Sequence, residues 1–87
     1  MTPEQFSEQL AGEGFAQIVT VERPAGELTE HAHPFEAKAL ILEGEITLEI
    51  AGRVAVYRAG QVFHLPAETP HRESYGPAGV RYLVGRK

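Results

Sequence analysis

Two histidines stand one residue apart in T-E-H-A-H-P, residues 29–34, and the whole chain has only four. On a β-strand, residues i and i+2 face the same side, and a rise of about 3.3 Å per residue would put the Cα atoms of His31 and His33 about 6.6 Å apart. Two imidazoles at that separation can lean onto one metal ion at about 2.0–2.1 Å each. The plainer alternative is a pair of surface histidines at a turn. Glu36 is the nearest downstream carboxylate. In a regular strand it faces away from His33, but Pro34 has no N–H to give a sheet, and a bulge there would re-aim Glu36 by one position. His64 lies in an alternating apolar stretch, where a lone histidine is more often a packed or surface residue than a ligand. Glu36 and His64 are therefore carried as additional candidate ligands. His71 follows a proline, and Glu73 shares its strand parity, so Glu73 can orient an imidazole by accepting its N–H. Otherwise Glu68, Glu73 and Tyr75 read as exposed loop residues.

These side chains need a scaffold, and the pattern around them is that of strands and turns. Residues 2–11 predict a short helix: Thr2 as N-cap, Pro3 in the first turn, Gln5 completing a capping box, and Phe6 and Leu10 on one face. Gly12 and Gly14 end it. Strands are expected at 16–22, 37–43, 45–50, 53–58, 61–65 and 80–85, with turns at 23–27, Ala51-Gly52 and Ala59-Gly60. Short strands with a turn every 8–12 residues or so describe an all-β sandwich or barrel. The expected core is Leu40, Ile41, Leu42, Ile46, Leu48, Ile50, Val54, Val56, Val62, Phe63, Leu65, Tyr82 and Val84. There is no repeat, no low-complexity segment and no glycine-rich phosphate loop after a strand.

Composition narrows the function classes. At 87 residues without a cysteine, the chain supports one small domain with no disulfide to reinforce it. Twelve acidic against eight basic side chains give a net charge of −4, and the basic residues are scattered, which argues against nucleic acid as a partner. No apolar run approaches the roughly 20 residues needed to span a membrane. The start, M-T-P-E-Q-F, has no basic segment followed by an apolar one, so no secretory signal is expected and the default location is the cytoplasm. A small core and open sheet edges favour a homodimer, with residues 1–22 as the segment expected to cross between subunits.

G-Q-V-F-H-L-P-A-E-T-P-H, residues 60–71, together with G-E-L-T-E-H-A-H and Gly44, resembles the two-motif pattern of the cupin superfamily. Gly26, His31, His33 and Gly44 fall on the first motif, and Gly60, Pro66 and His71 on the second, with fifteen residues between Gly44 and Gly60. The chain departs from the pattern at four places: Ala37 stands where the family has a metal-binding glutamate, Glu68 where it has a glycine, Tyr75 where it has an asparagine, and Gly26 lies one residue closer to His31. The resemblance implies an all-β double-stranded β-helix, or jelly-roll barrel, with residues 1–23 as the N-terminal helix and first strand and residues 24–87 as the barrel. It also implies a divalent transition metal (zinc, iron, nickel or copper) held by His31, His33 and His71, with a small-molecule pocket in the barrel. The alternative is a binding or sensing module without bound metal. No nucleophile-and-base pair, paired catalytic carboxylates or cofactor motif is present, so the sequence leaves catalysis open. Ala37→Glu would be expected to tighten metal binding.

Overall fold

The computed structural model describes all 87 residues. One helix, α1 (Pro3–Gly12), precedes six strands: β1 (Gln17–Arg23), β2 (Gly26–His31), β3 (Ala37–Ile50), β4 (Arg53–Arg58), β5 (Val62–Leu65) and β6 (His71–Arg86). No helix is long and apolar enough to cross a membrane. The stretches expected as separate strands at 37–43 and 45–50 are one strand running through Gly44. The last strand begins nine residues earlier than the expected 80, and residues 26–31 form a strand partly inside an expected turn.

Strands β3 and β6 are long because each serves two layers. The first half of β3 pairs with β5 and the second half with β4. The first half of β6 pairs with β2 and the second half with β1. β3 and β6 pair with each other along both halves, and their register shifts on either side of Glu43–Gly44. The result is two antiparallel four-stranded layers, β2-β6-β3-β4 and β1-β6-β3-β5, joined by two bent strands: the jelly-roll barrel expected from the motifs. All pairs are antiparallel, and β1 is as much a barrel strand as the rest.

The interior between the layers is filled by Val21, Ala37, Ala39, Ile41, Ile46, Leu48, Phe63, Leu65, Val80, Tyr82 and Val84. Six expected core residues lie outside it: Val54, Val56 and Val62 are exposed, Leu42 and Ile50 are half-buried, and Leu40 is buried in a second cluster. On β4 the alternation has the opposite phase to the one expected. Ala55 and Tyr57 stand opposite Leu48 and Ile46, which face inward, while Val54 and Val56 stand opposite Glu49 and Thr47.

A second core lies beneath α1. The Thr2–Gln5 capping box forms as expected, with the Thr2 side chain accepting from the Gln5 backbone and the Gln5 side chain from that of Thr2. It fixes the helix start so that Phe6 and Leu10 meet Phe15, Leu40 and Leu83 on the outer face of the sheet. Phe6 and Leu10 are fully buried, and burial of each contributes about 1.5–3 kcal/mol. A Cβ on Gly85 would stand 2.9 Å from Phe15 and 3.0 Å from Leu10, so the sheet lies flush against this layer. The segment expected to cross between subunits thus lies over its own barrel.

Gly44 sits at the bend of β3 with φ +75°, and a Cβ there would lie 2.0 Å from the Gly79 carbonyl oxygen. Gly44→Ala should therefore lower stability by more than about 2 kcal/mol, because left-handed strain adds to a backbone clash. A wild-type urea midpoint would overturn that reading. Glu68 holds φ +60° where the family has a glycine, so the backbone has kept a glycine-like conformation under a side chain. Its amide donates to the His33 carbonyl oxygen at 2.7 Å, tying the loop to the neighbourhood of the histidines. Glu68→Gly should raise the urea midpoint, by the equivalent of up to about 1 kcal/mol, and an unchanged or lower midpoint would refute it.

Candidate metal centre

His31 is the last residue of β2 and His71 the first of β6, and the two are direct cross-strand partners. The register shifts between Leu28 and His31, a bulge that ends the strand and lets the chain turn. His33 lies beyond the end of β2, so it does not share a regular strand face with His31. It reaches the same place from the loop. The His31 ring centroid is 4.9 Å from that of His33 and 4.4 Å from that of His71, and the His33–His71 distance is 5.5 Å.

Glu73, two residues along β6, completes the group. One ligand atom from each of His31, His33, His71 and Glu73 can be chosen so that all lie within 4.8 Å of one another. The expected convergence of the three histidines is thus present, together with a carboxylate for which the sequence predicts an orienting role or an exposed loop. Glu73 is buried, as is His71. The alternation H-R-E-S-Y, residues 71–75, carried the signal: positions 71, 73 and 75 share one strand face.

The hydrogen bonds fix the protonation of two rings. Nδ1 of His31 lies 2.7 Å from the Thr29 carbonyl oxygen, and Nδ1 of His71 lies 2.9 Å from that of Thr69. A carbonyl only accepts, so Nδ1 carries the proton in both rings. In the neutral form each Nε2 is then a lone pair. Both Nε2 atoms lie 3.0 Å from the same oxygen, Oε2 of Glu73. Two lone pairs and a carboxylate oxygen converge, an arrangement that needs either a proton or a cation between them. Backbone carbonyls that orient histidines with Nε2 free are what metal sites use. The donor set, three imidazoles and a carboxylate, suits a divalent transition metal.

The surroundings hold the group in place. Tyr75 donates its hydroxyl to Oε1 of Glu73 at 3.0 Å, leaving Oε2 to the histidines. Burial, and next the Glu73 charge, push the Tyr75 phenol above its usual range, so it remains a donor. His33 stacks on Phe35 at 4.8 Å. Burial, and next the charges of His31 and His71, lower its pKa below the ordinary histidine value, which favours the neutral form that binds metal.

The two additional candidates lie elsewhere. His64 Nε2 pairs with Glu36 Oε2, and the Glu36 backbone is tied to Lys87 in both directions. The bulge that would have re-aimed Glu36 occurs upstream, between Leu28 and His31. Ala37, at the family's glutamate position, is buried and faces inward. It lines a cavity of about 40 Å³ together with His33, His71, Glu73 and Arg86.

The motifs, the barrel and the histidine cluster together define a cupin. Residues 17–84 match the family described as Cupin domain, and the chain belongs to it. Solved structures of similar fold include a DUF861 family protein from Thermotoga maritima, with 20% identity, TM-score 0.72, and 98% of this chain and 91% of that one covered. The Clostridium difficile EutQ protein matches at 14% identity and TM-score 0.72 over 79% of this chain. The polyketide cyclase RemF from Streptomyces resistomycificus is 28% identical at TM-score 0.64, covering 87% of this chain and 58% of that one. The chain spans about half the length of the EutQ structures, 55% and 53%. No curated protein matches it.

The lowered pKa of His33 has a sign that can be tested in metal-free protein. The unfolded chain, with an ordinary histidine, binds the proton more readily than the folded one. Stability should therefore be fully present above about pH 6.5 and fall as pH drops below it. Urea midpoints between pH 8 and 5 should show this slope, and His33→Gln should flatten it. An equal slope in the variant would remove His33 as its source.

Proposed function

We propose that this chain is a metal-binding cupin that holds one divalent transition ion through His31, His33, His71 and Glu73 and presents it to a small-molecule ligand. The convergence of two Nε2 lone pairs on one carboxylate oxygen carries the reading. Zinc, iron, nickel and copper all accept such donors. A bound ion would supply Lewis acidity toward a ligand oxygen or lower the pKa of a bound water. The chain's own residues do the positioning: Thr29 and Thr69 carbonyls aim the imidazoles, and Tyr75 aims the carboxylate. Glu73 takes over, from β6, the charge that the family's glutamate would bring from Ala37 on β3.

The ligand that fits is small. Pockets for drug-sized molecules run to about 300–1,000 Å³, and the cavity beside the site offers about 40 Å³. The name of RemF therefore does not carry over to this chain as a polyketide substrate. Catalysis is the reading if the ion keeps a coordination position free for that ligand. The second reading is a metal-free binding module. It is favoured by the fact that no buried side-chain polar atom lacks a hydrogen-bond partner, as a proton shared within the His31–Glu73–His71 network would allow. The homodimer expected of so small a core belongs to either reading, and light scattering would distinguish it from a 9.5 kDa monomer.

Tag-free protein prepared without chelators should bind about one divalent ion per chain in calorimetry. His71→Ala should abolish binding and Glu73→Gln should weaken it at least about tenfold, the factor expected when even an outer partner is lost. Tyr75→Phe should weaken it less. Absence of stoichiometric binding would favour the metal-free module instead, and unchanged affinity in Glu73→Gln would remove Glu73 from the ligand set.

A further inference from the structure

The cavity beside the cluster has two features that the metal reading does not use. The first is a missing carboxylate. Ala37 faces inward at a buried position on β3, with His33, His71 and Glu73 lining the same space. The second is an unpaired cation. Arg86 is the direct cross-strand partner of Ala37 and shares the inward parity of Tyr82 and Val84 on β6. Its side chain lines the cavity, and its guanidinium carbon lies 5.2 Å above the Phe35 ring. It forms no ion pair and no side-chain hydrogen bond, although the other inward-facing charge, Glu73, has three partners.

Arg86 is half-buried. The one carboxylate on the cavity, Glu73, is already engaged by His31, His71 and Tyr75, so the Arg86 guanidinium keeps its donors free for an anion. Its planar fork matches a carboxylate in two parallel hydrogen bonds. The Phe35 ring touches both groups, stacking on His33 and lying under the Arg86 guanidinium carbon, and so links the guanidinium to the cluster. The cavity of about 40 Å³ holds a few atoms and no more, since one water-sized probe needs about 10–15 Å³.

We infer that this cavity is a binding site for a small exogenous carboxylate, held by Arg86 in the space Ala37 leaves open, next to the histidine cluster. The external anion fills the space that a longer side chain at position 37 would occupy, while Glu73 carries the carboxylate charge at the cluster itself. Its class is a one- or two-carbon carboxylate, or the carboxylate end of a longer ligand entering from the barrel mouth. The inference deepens the proposed function by naming the ligand class of that site, yet the Arg86 contact itself does not require a metal.

The test uses formate and acetate as probes and formamide and acetamide as neutral controls of the same shape. Each is titrated into 15N-labelled full-length protein, first metal-free and then zinc-loaded, following the Arg86 side-chain Nε–H and the Ala37 amide. The expected result is saturable shifts at both groups for the anions only, with affinity falling at least about tenfold in Arg86→Gln and partly restored in Arg86→Lys. Ala37→Glu places an internal carboxylate in the cavity and should abolish formate binding while the variant still binds zinc. Equal responses to formate and formamide, full affinity in a folded Arg86→Gln, or formate binding undiminished in Ala37→Glu would each overturn the inference. Those outcomes leave the zinc isotherm untouched. Conversely, formate shifts at Arg86 without zinc binding would keep the anion site and remove the metal reading.

Discussion

The antiparallel contact between β3 and β6 is the interaction on which the rest depends. Every other strand pairs with one or the other of these two. Because both bend, they pass from one layer into the other and close the barrel without a separate corner segment. Two glycines permit the bend. Gly44 and Gly79 both have φ near +75°, and a Cβ on Gly79 would lie 2.3 Å from the Arg23 carbonyl oxygen. Three stretches of backbone meet there with no room for side chains. The glycine that closes the first motif is thus required by close backbone approach, at the end of the barrel away from the histidines.

That pairing also decides what the histidine cluster can contain. β6 delivers His71, Glu73 and Tyr75 on one face at its start and Arg86 at its end, so one strand provides two cluster members, the tyrosine that orients the carboxylate and the unpaired cation. β2 contributes His31 through its register with His71, and the following loop contributes His33. A carboxylate can reach these histidines from β3 at position 37 or from β6 at position 73, because both strands face the same interior. This chain has the second. A carboxylate thus stands beside the histidines although position 37 is alanine, so the departure at Ala37 is compatible with a four-donor group.

The sequence made much of this legible. Regular alternation and turn residues located most strands, and the capping box located the helix. The family spacing picked out His31, His33 and His71. What stayed hidden was the side-chain phase of an edge strand. Val54 and Val56 look like core because β-branched residues alternate there, yet the period is the same for either face, and only the pairing with Glu49 and Thr47 shows them outward. The early start of β6 was hidden for a related reason. Gly76, Pro77 and Gly79 interrupt the alternation ahead of residue 80, yet they lie within the bend of a continuous strand. With that strand broken in the reading, Glu73 and Tyr75 fell into a loop and their inward parity lost its meaning. Arg86 escaped notice because a single terminal arginine has no pattern until its cross-strand neighbour is known.

The position of β6 in the chain has a consequence for how the protein assembles. This strand pairs Gln17 with Arg86 and Ala37 with Arg86, so its contacts span most of the sequence. A topology dominated by such distant pairs folds slowly, because long loops must close before their contacts form. During synthesis β1, β2 and the first half of β3 emerge with their central partner still missing. Their apolar faces and open edges then wait for the last strand to arrive. The helix over Leu40 can shelter part of one face during that interval, but its other main contact, Leu83, arrives only with β6. Neither the barrel nor the histidine cluster can be assembled from an N-terminal fragment, and the time between the emergence of β1 and of Arg86 is when the chain is most open to pairing with a neighbour.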